Sequence, residues 1–210
     1  MERIFKKRVV PVVTLDRLED AVSVAEALQA GGLDIIEVTF RTPAAESCLR
    51  AIKKAFPQML VGAGTLLDTD QVKRARDAGA QFGVAPGLNE AVVQASLALG
   101  MPFVPGVMTP SDVERGLALG CKLQKFFPAS VAGGLEMVNA IAGPYAHTGL
   151  KLIPLGGLNV KNAPDYLKLP IVAAIGGSWI ADKKTIAAKN WTQITTFARE
   201  IVAIAGAINV

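Results

Sequence analysis

Eight short apolar runs, set apart by helical or glycine-rich stretches, constrain this chain more than any other feature. They read RVVPVVTL, DIIEVTF, MLVGAGTL, QFGVAPG, PFVPGVM, KLQKFFP, LKLIPLGG and IVAAIGGS, and successive runs start roughly 20 to 30 residues apart. Between the first six lie LEDAVSVAEALQAGG, AAESCLRAIKKA, TDQVKRARDAGA, NEAVVQASLALG and SDVERGLALG. These carry apolar side chains at helical spacing, and most close on a glycine. Near-continuous apolar strands alternating with amphipathic helices are what a parallel sheet with a covered outer face requires. Eight such units predict a (β/α)8 barrel, with residues 1–210 as one domain. An open doubly wound sheet is the competing arrangement. VGAGTL, however, is not the G-x-G-x-x-G of such sheets, and no second-domain linker is visible.

At 210 residues with half of them apolar, the chain is long enough for one large core and short for two. The net charge of +4 is modest, and Lys and Arg are dispersed apart from Lys6, Lys7 and Arg8. That balance favours small anionic ligands over a nucleic-acid partner. Cys48 and Cys121 are the two cysteines, far apart and outside any C-x-x-C pattern, so a disulfide framework is not expected. No run approaches the roughly 18 apolar residues of a membrane span, and the first residues lack a signal-peptide pattern. The expectation is a cytoplasmic protein with no membrane partner. The single histidine, His147, lies in the loop-like PYAHTGL, which fits metal catalysis badly.

In a barrel, strand side chains alternate inward and outward, and active sites gather at the C-terminal strand ends. Glu37, Thr39 and Arg41 share one face of DIIEVTFRT; Leu123, Lys125 and Phe127 share one face of KLQKFFP. If Glu37 and Lys125 both point inward, the second and sixth runs aim opposite charges into one apolar space. The pair is then either a buried ion pair that satisfies itself, with a snorkelling lysine as a variant, or a reactive site. In the reactive reading, burial disfavours the ammonium and leaves a neutral amine able to attack a ketone. The protonated Schiff base then draws electrons from the adjacent carbon, so that a carbon–carbon bond breaks to an enamine while Glu37 moves protons. Arg41 and Thr65, at the ends of the second and third runs, would hold a substrate carboxylate. PLGG and IGGS bring Gly156, Gly157, Gly177 and the Ser178 hydroxyl to strand ends where backbone amides can approach a phosphate. Tight corners and an ordinary helix-capping serine are the alternatives there.

Taken together, EVTFRT, VGAGTL, APG, KFFPA and GGSW, in this order across nearly the whole chain, resemble the KDPG/KHG aldolase family. KDPG is 2-keto-3-deoxy-6-phosphogluconate. The resemblance implies a trimeric (β/α)8 barrel that splits this keto-acid phosphate into pyruvate and glyceraldehyde 3-phosphate with no metal or other cofactor. It implies Schiff-base formation by Lys125 and acid–base work by Glu37. It also implies carboxylate contacts from Arg41 and Thr65, contacts near the imine from Pro86 and Phe127, and phosphate contacts from Gly156, Gly157 and Ser178.

Two positions depart from the pattern. Leu155 stands in PLGG where the family usually has PTGG, which removes a substrate-facing hydroxyl, and APG replaces the commoner SPG. The pyruvate-side residues are all in place, so the reaction class is better specified than the aldehyde half. Aldolases for 4-hydroxy-2-oxoglutarate (KHG) or for the galactonate epimer are the nearest rivals. A non-catalytic anion-binding or scaffold barrel is a more distant one, and the lysine inside an apolar strand argues against it.

Overall fold

Every apolar run supplies strand to one curled parallel sheet. The computed structural model describes residues 1–208. Its strands are β1 Val9–Val13, β2 Ile35–Thr39, β3 Leu60–Gly64, β4 Phe82–Val84, β5 Phe103–Val104, β6 Gly106–Val107, β7 Leu123–Phe126, β8 Lys151–Pro154 and β9 Ile175–Gly177. They pair in the order β5-β4-β3-β2-β1-β9 and, separately, β6-β7-β8, all parallel. Two seams join these ribbons into a ring. One is Pro105, between β5 and β6 in the fifth run. The other is a bridge from Leu152 to Val172, where the Leu152 N–H donates to Ile171 O at 2.8 Å and the Ala173 N–H to Leu152 O at 3.0 Å. The closed order is that of a (β/α)8 barrel.

The fifth run thus forms two short strands rather than one. Pro105 has no N–H to continue the ladder, but its carbonyl accepts the Lys125 N–H at 2.8 Å, which ties the break to β7. The eighth run is also shorter than its apolar length, with regular pairing at Ile175–Gly177 alone.

The helices that cover the sheet follow the sequence pattern: α2 Ala21–Ala30, α3 Ala45–Ala55, α4 Thr69–Asp77, α5 Glu90–Ala98 and α6 Pro110–Ala118, then α7 Gly134–Tyr145, α8 Ala163–Leu167, α9 Lys183–Ala187 and α10 Trp191–Ala207. Side-chain caps start several of them. Asp68 accepts from the Gln71 N–H, Asn89 from Ala91 and Val92, and Thr109 forms a capping box with Asp112. Among the described residues no helix is long and apolar enough to cross a membrane.

A short helix not expected from the periodicity, α1 Glu2–Lys7, precedes β1 and buries Ile4. Ile4 belongs to the apolar cluster that fills the barrel interior with Val10, Ile35, Leu60, Phe82, Val84, Val104, Leu123 and Ile153. A second, larger cluster lies between the sheet and the helices. The interior is therefore solid, and Phe82 fills it by lying where Gly62 has no side chain: a Cβ there would meet the ring at 2.2 Å.

Candidate active site

The inward register of β2 and β7 brings Glu37 and Lys125 together. Val12, Glu37 and Gly62 are partners across β1, β2 and β3, and Lys125 pairs with Gly106 and Ile153. Lys125 Nζ lies 3.7 Å from Glu37 Oε1, with the two side chains 6% and 4% exposed. The ammonium position also faces the Phe127 ring at 5.4 Å from its centroid, within cation–π range. Glu37 Oε1 is buried and has no hydrogen-bond partner. At 3.7 Å the pair has charge attraction without a formed hydrogen bond, so a buried acceptor stays open beside an amine. The carboxylate has room because β3 ends in Gly64, where a Cβ would sit 2.0 Å from Oε1.

The residue after that glycine, Thr65, has φ of 58°. Positive φ in a β-branched residue is an outlier and costs on the order of 1–3 kcal/mol. Surrounding contacts hold it there: the Phe40 N–H donates to Gly64 O at 2.7 Å and the Leu66 N–H to Val84 O at 3.1 Å. Half-buried Thr65 is thus fixed at the strand end, next in sequence to the glycine that makes room for the Glu37 carboxylate.

Arg41 is exposed just beyond β2, and its Nη2 donates to Thr14 Oγ1 at 2.7 Å; Thr14 in turn meets Thr39 Oγ1 at 2.8 Å. Thr14, Arg41 and Ser178 line one cleft of about 500 Å3 at the C-terminal mouth, with Val12, Trp179, Ala181, Asp182 and Lys183. Ser178 opens the short turn Trp179–Ala181, but its side chain makes no capping bond and is exposed to the cleft.

On the far side of the mouth, the segment after β7 is knitted to the one after β8. The Leu155 N–H donates to Phe126 O, the Ala129 N–H to Leu155 O at 2.8 Å and the Ser130 N–H to Gly156 O at 3.0 Å. Gly156 and Gly157 have φ of 103° and 78°, and a Cβ on Gly157 would meet Ser130 Oγ at 2.2 Å, so both conformation and close approach demand glycine. Leu155 folds over Gly176 and, with Glu37 and Lys125, walls a small enclosed apolar space. Pro86, after β4, lies against Gly106, where a Cβ would meet its carbonyl at 2.0 Å; Gly177 is buried at the end of β9.

The expected residues therefore collect at one end of the barrel, with two qualifications. Arg41 and Thr65 share no hydrogen bond; the partner of Arg41 is Thr14, which the sequence pattern gave no reason to single out. Gly64 was likewise silent in sequence, because only the register reveals what lies over it. Among the described residues no group of three or more His, Cys, Asp or Glu side chains gathers as metal ligands. Both thiols are free and buried. Burial, aided by the charge of Asp20, pushes Cys48 up to about 11, and burial raises Cys121, so neither supplies a thiolate near neutrality.

Comparison with known proteins identifies the family. The family described as "KDPG and KHG aldolase" matches residues 1–197. The 2-dehydro-3-deoxy-phosphogluconate aldolase of Treponema pallidum is 42% identical over 98% of this chain and 97% of its own. The KDPG aldolase of Legionella pneumophila, solved with pyruvate captured as a covalent carbinolamine, superposes with a TM-score of 0.89 at 41% identity, covering 93% of this chain and 95% of that one. The enzyme of Zymomonas mobilis, solved with 3-phosphoglycerate, gives 0.87 at 36% identity, covering 99% and 98%. The molecule is thus a class I pyruvate aldolase, a carbon–carbon lyase of the Schiff-base type. Within that class the chain belongs to the KDPG and KHG aldolase family.

Proposed function

We propose that this enzyme cleaves 2-keto-3-deoxy-6-phosphogluconate to pyruvate and glyceraldehyde 3-phosphate, with Lys125 as nucleophile and Glu37 as the proton carrier. The observation that carries the reading is the buried Lys125–Glu37 pair, 3.7 Å apart, with Oε1 otherwise unpartnered. The neutral amine of Lys125 adds to the C2 ketone, and Glu37 relays a proton to the oxygen that leaves as water, forming the iminium. Loss of the C4 hydroxyl proton to the carboxylate breaks the C3–C4 bond; its electron pair flows into the iminium as an enamine, and the aldehyde departs. Returning the proton to C3 and adding water releases pyruvate and the amine. The approach of Glu37 to the reacting atoms tightens when substrate fills the site.

Arg41 and Thr65 hold the pyruvate carboxylate in this reading. The amides of Gly156, Gly157 and Gly177 and the Ser178 hydroxyl hold the phosphate, and Pro86 and Phe127 shield the imine. The strained Thr65 backbone and the glycine-only conformations after β8 support these roles. Leu155 favours a second substrate alongside the first: without a hydroxyl over Gly176, the galactonate epimer meets less discrimination, and 4-hydroxy-2-oxoglutarate is a smaller keto acid for the same pyruvate chemistry. The enzyme works as a cytoplasmic homotrimer of single-domain subunits in this proposal, which sedimentation of the purified protein tests. For the chemistry, pyruvate and borohydride are added, the mass is measured and the labelled peptide mapped. Label on Lys125 is expected; label elsewhere, or none, would sink the assignment.

A further inference from the structure

We propose that Thr14 is a further substrate-binding residue, whose hydroxyl donates a hydrogen bond to the same anionic group that Arg41 binds. The inference rests on the carboxylate role of Arg41 proposed above, and it comes from accounting for the protons of three side chains.

Thr14 follows β1, and the pairing of Val13 with Val38 sets it beside Thr39 on the inward face. The two Oγ1 atoms are 2.8 Å apart. Thr39 is 1% exposed, and a buried hydroxyl must put its proton on an acceptor. The acceptor within reach is Thr14 Oγ1. Arg41 Nη2 donates to that oxygen as well, at 2.7 Å. A hydroxyl oxygen has two lone pairs and carries one proton. With both lone pairs of Thr14 filled by Thr39 and Arg41, its own proton cannot return to either of them. Were Thr14 to donate to Thr39 instead, the Thr39 proton would be left inside the barrel with no acceptor.

The Thr14 proton therefore points out of the triad, and Thr14 lines the mouth cleft with Arg41 and Ser178. The nearby charged groups have other partners: Asp182 accepts from the Thr185 N–H and Lys183 pairs with Asp16 at 2.9 Å. An anion seated on the remaining donors of Arg41 thus receives a second, neutral donor from the neighbouring strand. Such a contact to an unreacting carboxylate is the same before and during bond cleavage, so it acts on substrate affinity rather than on turnover.

The test measures borohydride trapping of pyruvate on the enzyme as a function of pyruvate concentration. Thr14→Val keeps the shape and removes the proton; Thr14→Ser keeps the hydroxyl and controls for misfolding. Half-saturating pyruvate should rise about tenfold in Thr14→Val, with little change in trapping rate at saturation, and stay near native in Thr14→Ser. The same rise should persist when Thr14→Val is made in an Arg41→Met background. A rise that vanishes there would mean that Thr14 acts only through Arg41, and the proposal falls. A normal half-saturation in Thr14→Val, with Arg41→Met alone impaired, overturns the proposal while leaving the carboxylate reading intact. If Arg41→Met alone binds pyruvate normally, the carboxylate reading fails first and takes this proposal with it.

Discussion

The two ends of the barrel interior are built from opposite materials. Toward the N-terminal ends of the strands, Ile4, Val10, Ile35, Leu60, Phe82 and Leu123 make a closed apolar plug with no polar side chain of their own. Toward the C-terminal ends the same strands carry Glu37, Thr39 and Lys125, with Thr14, Arg41 and Thr65 just beyond. The difference is a few ångströms of strand, since rise per residue is only about 3.3 Å. It teaches that charge is buried here as a pair: a dry apolar floor makes a lone charge costly, and Lys125 and Glu37 lie 3.7 Å apart above it. The floor fixes the strands in register, and the register brings amine and carboxylate within reach.

Substitutions at the two ends should separate cleanly, and the largest effect is expected at the mouth. Lys125→Arg should abolish cleavage, because guanidinium stays protonated and cannot become the nucleophile. Measurable turnover would require another nucleophile.

At the floor the converse is expected. Ile4→Ala removes a fully buried side chain and should cost about 2–5 kcal/mol of stability, with kcat and KM near native where the protein remains folded. A large fall in kcat without a loss of stability would mean that the two ends are not separable.

Glu37→Gln keeps the volume and removes the proton carrier, so kcat should drop by about 10²-fold, with slow adduct formation still detectable by trapping. Near-normal turnover would reduce Glu37 to a counter-charge.

Smaller still is Leu155→Thr. It restores one hydroxyl at the mouth, worth roughly 0.5–1.5 kcal/mol, and should raise kcat/KM for the gluconate substrate over its galactonate epimer by up to about tenfold. An unchanged ratio would remove Leu155 from selectivity.

The smallest change is expected for Thr65→Gly. Relief of the positive-φ strain, partly offset by the greater freedom of glycine in the unfolded chain, should raise the unfolding free energy by about 1 kcal/mol or less, while pyruvate KM increases. Loss of stability together with normal KM would reverse the reading of that residue.

Much of this was legible from the chain because the signals are periodic. Apolar runs, closing glycines and the inward alternation of Glu37 and Lys125 follow from repeating geometry, and they carried the barrel and its central pair. What escaped was short or depended on a neighbour. The helix holding Ile4 has six residues, too few for a period to register. The interruption at Pro105 could be suspected from proline's missing N–H, but not that its carbonyl would hold β7. Thr14 looks like any strand-end threonine until the β1–β2 register brings it to Thr39. Thr65 was singled out as a carboxylate contact, but no sequence pattern announces positive φ in a β-branched residue.

The hollows over glycine bear on how such an enzyme changes through evolution. Glu37 occupies the space above Gly64, Phe82 that above Gly62, and Leu155 that above Gly176. In each case a large side chain on or just after one strand and an absent one on the next form a single packing unit. Moving the carboxylate to β3, for instance, takes two changes: a side chain gained at one position and another surrendered at its partner. A lone change gives either a clash or a void, each costing on the order of 1–3 kcal/mol or more. Lineages should therefore diversify at open positions such as the exposed Ser178, while these lock-and-hollow pairs, Leu155 with Gly176 included, persist or turn over together.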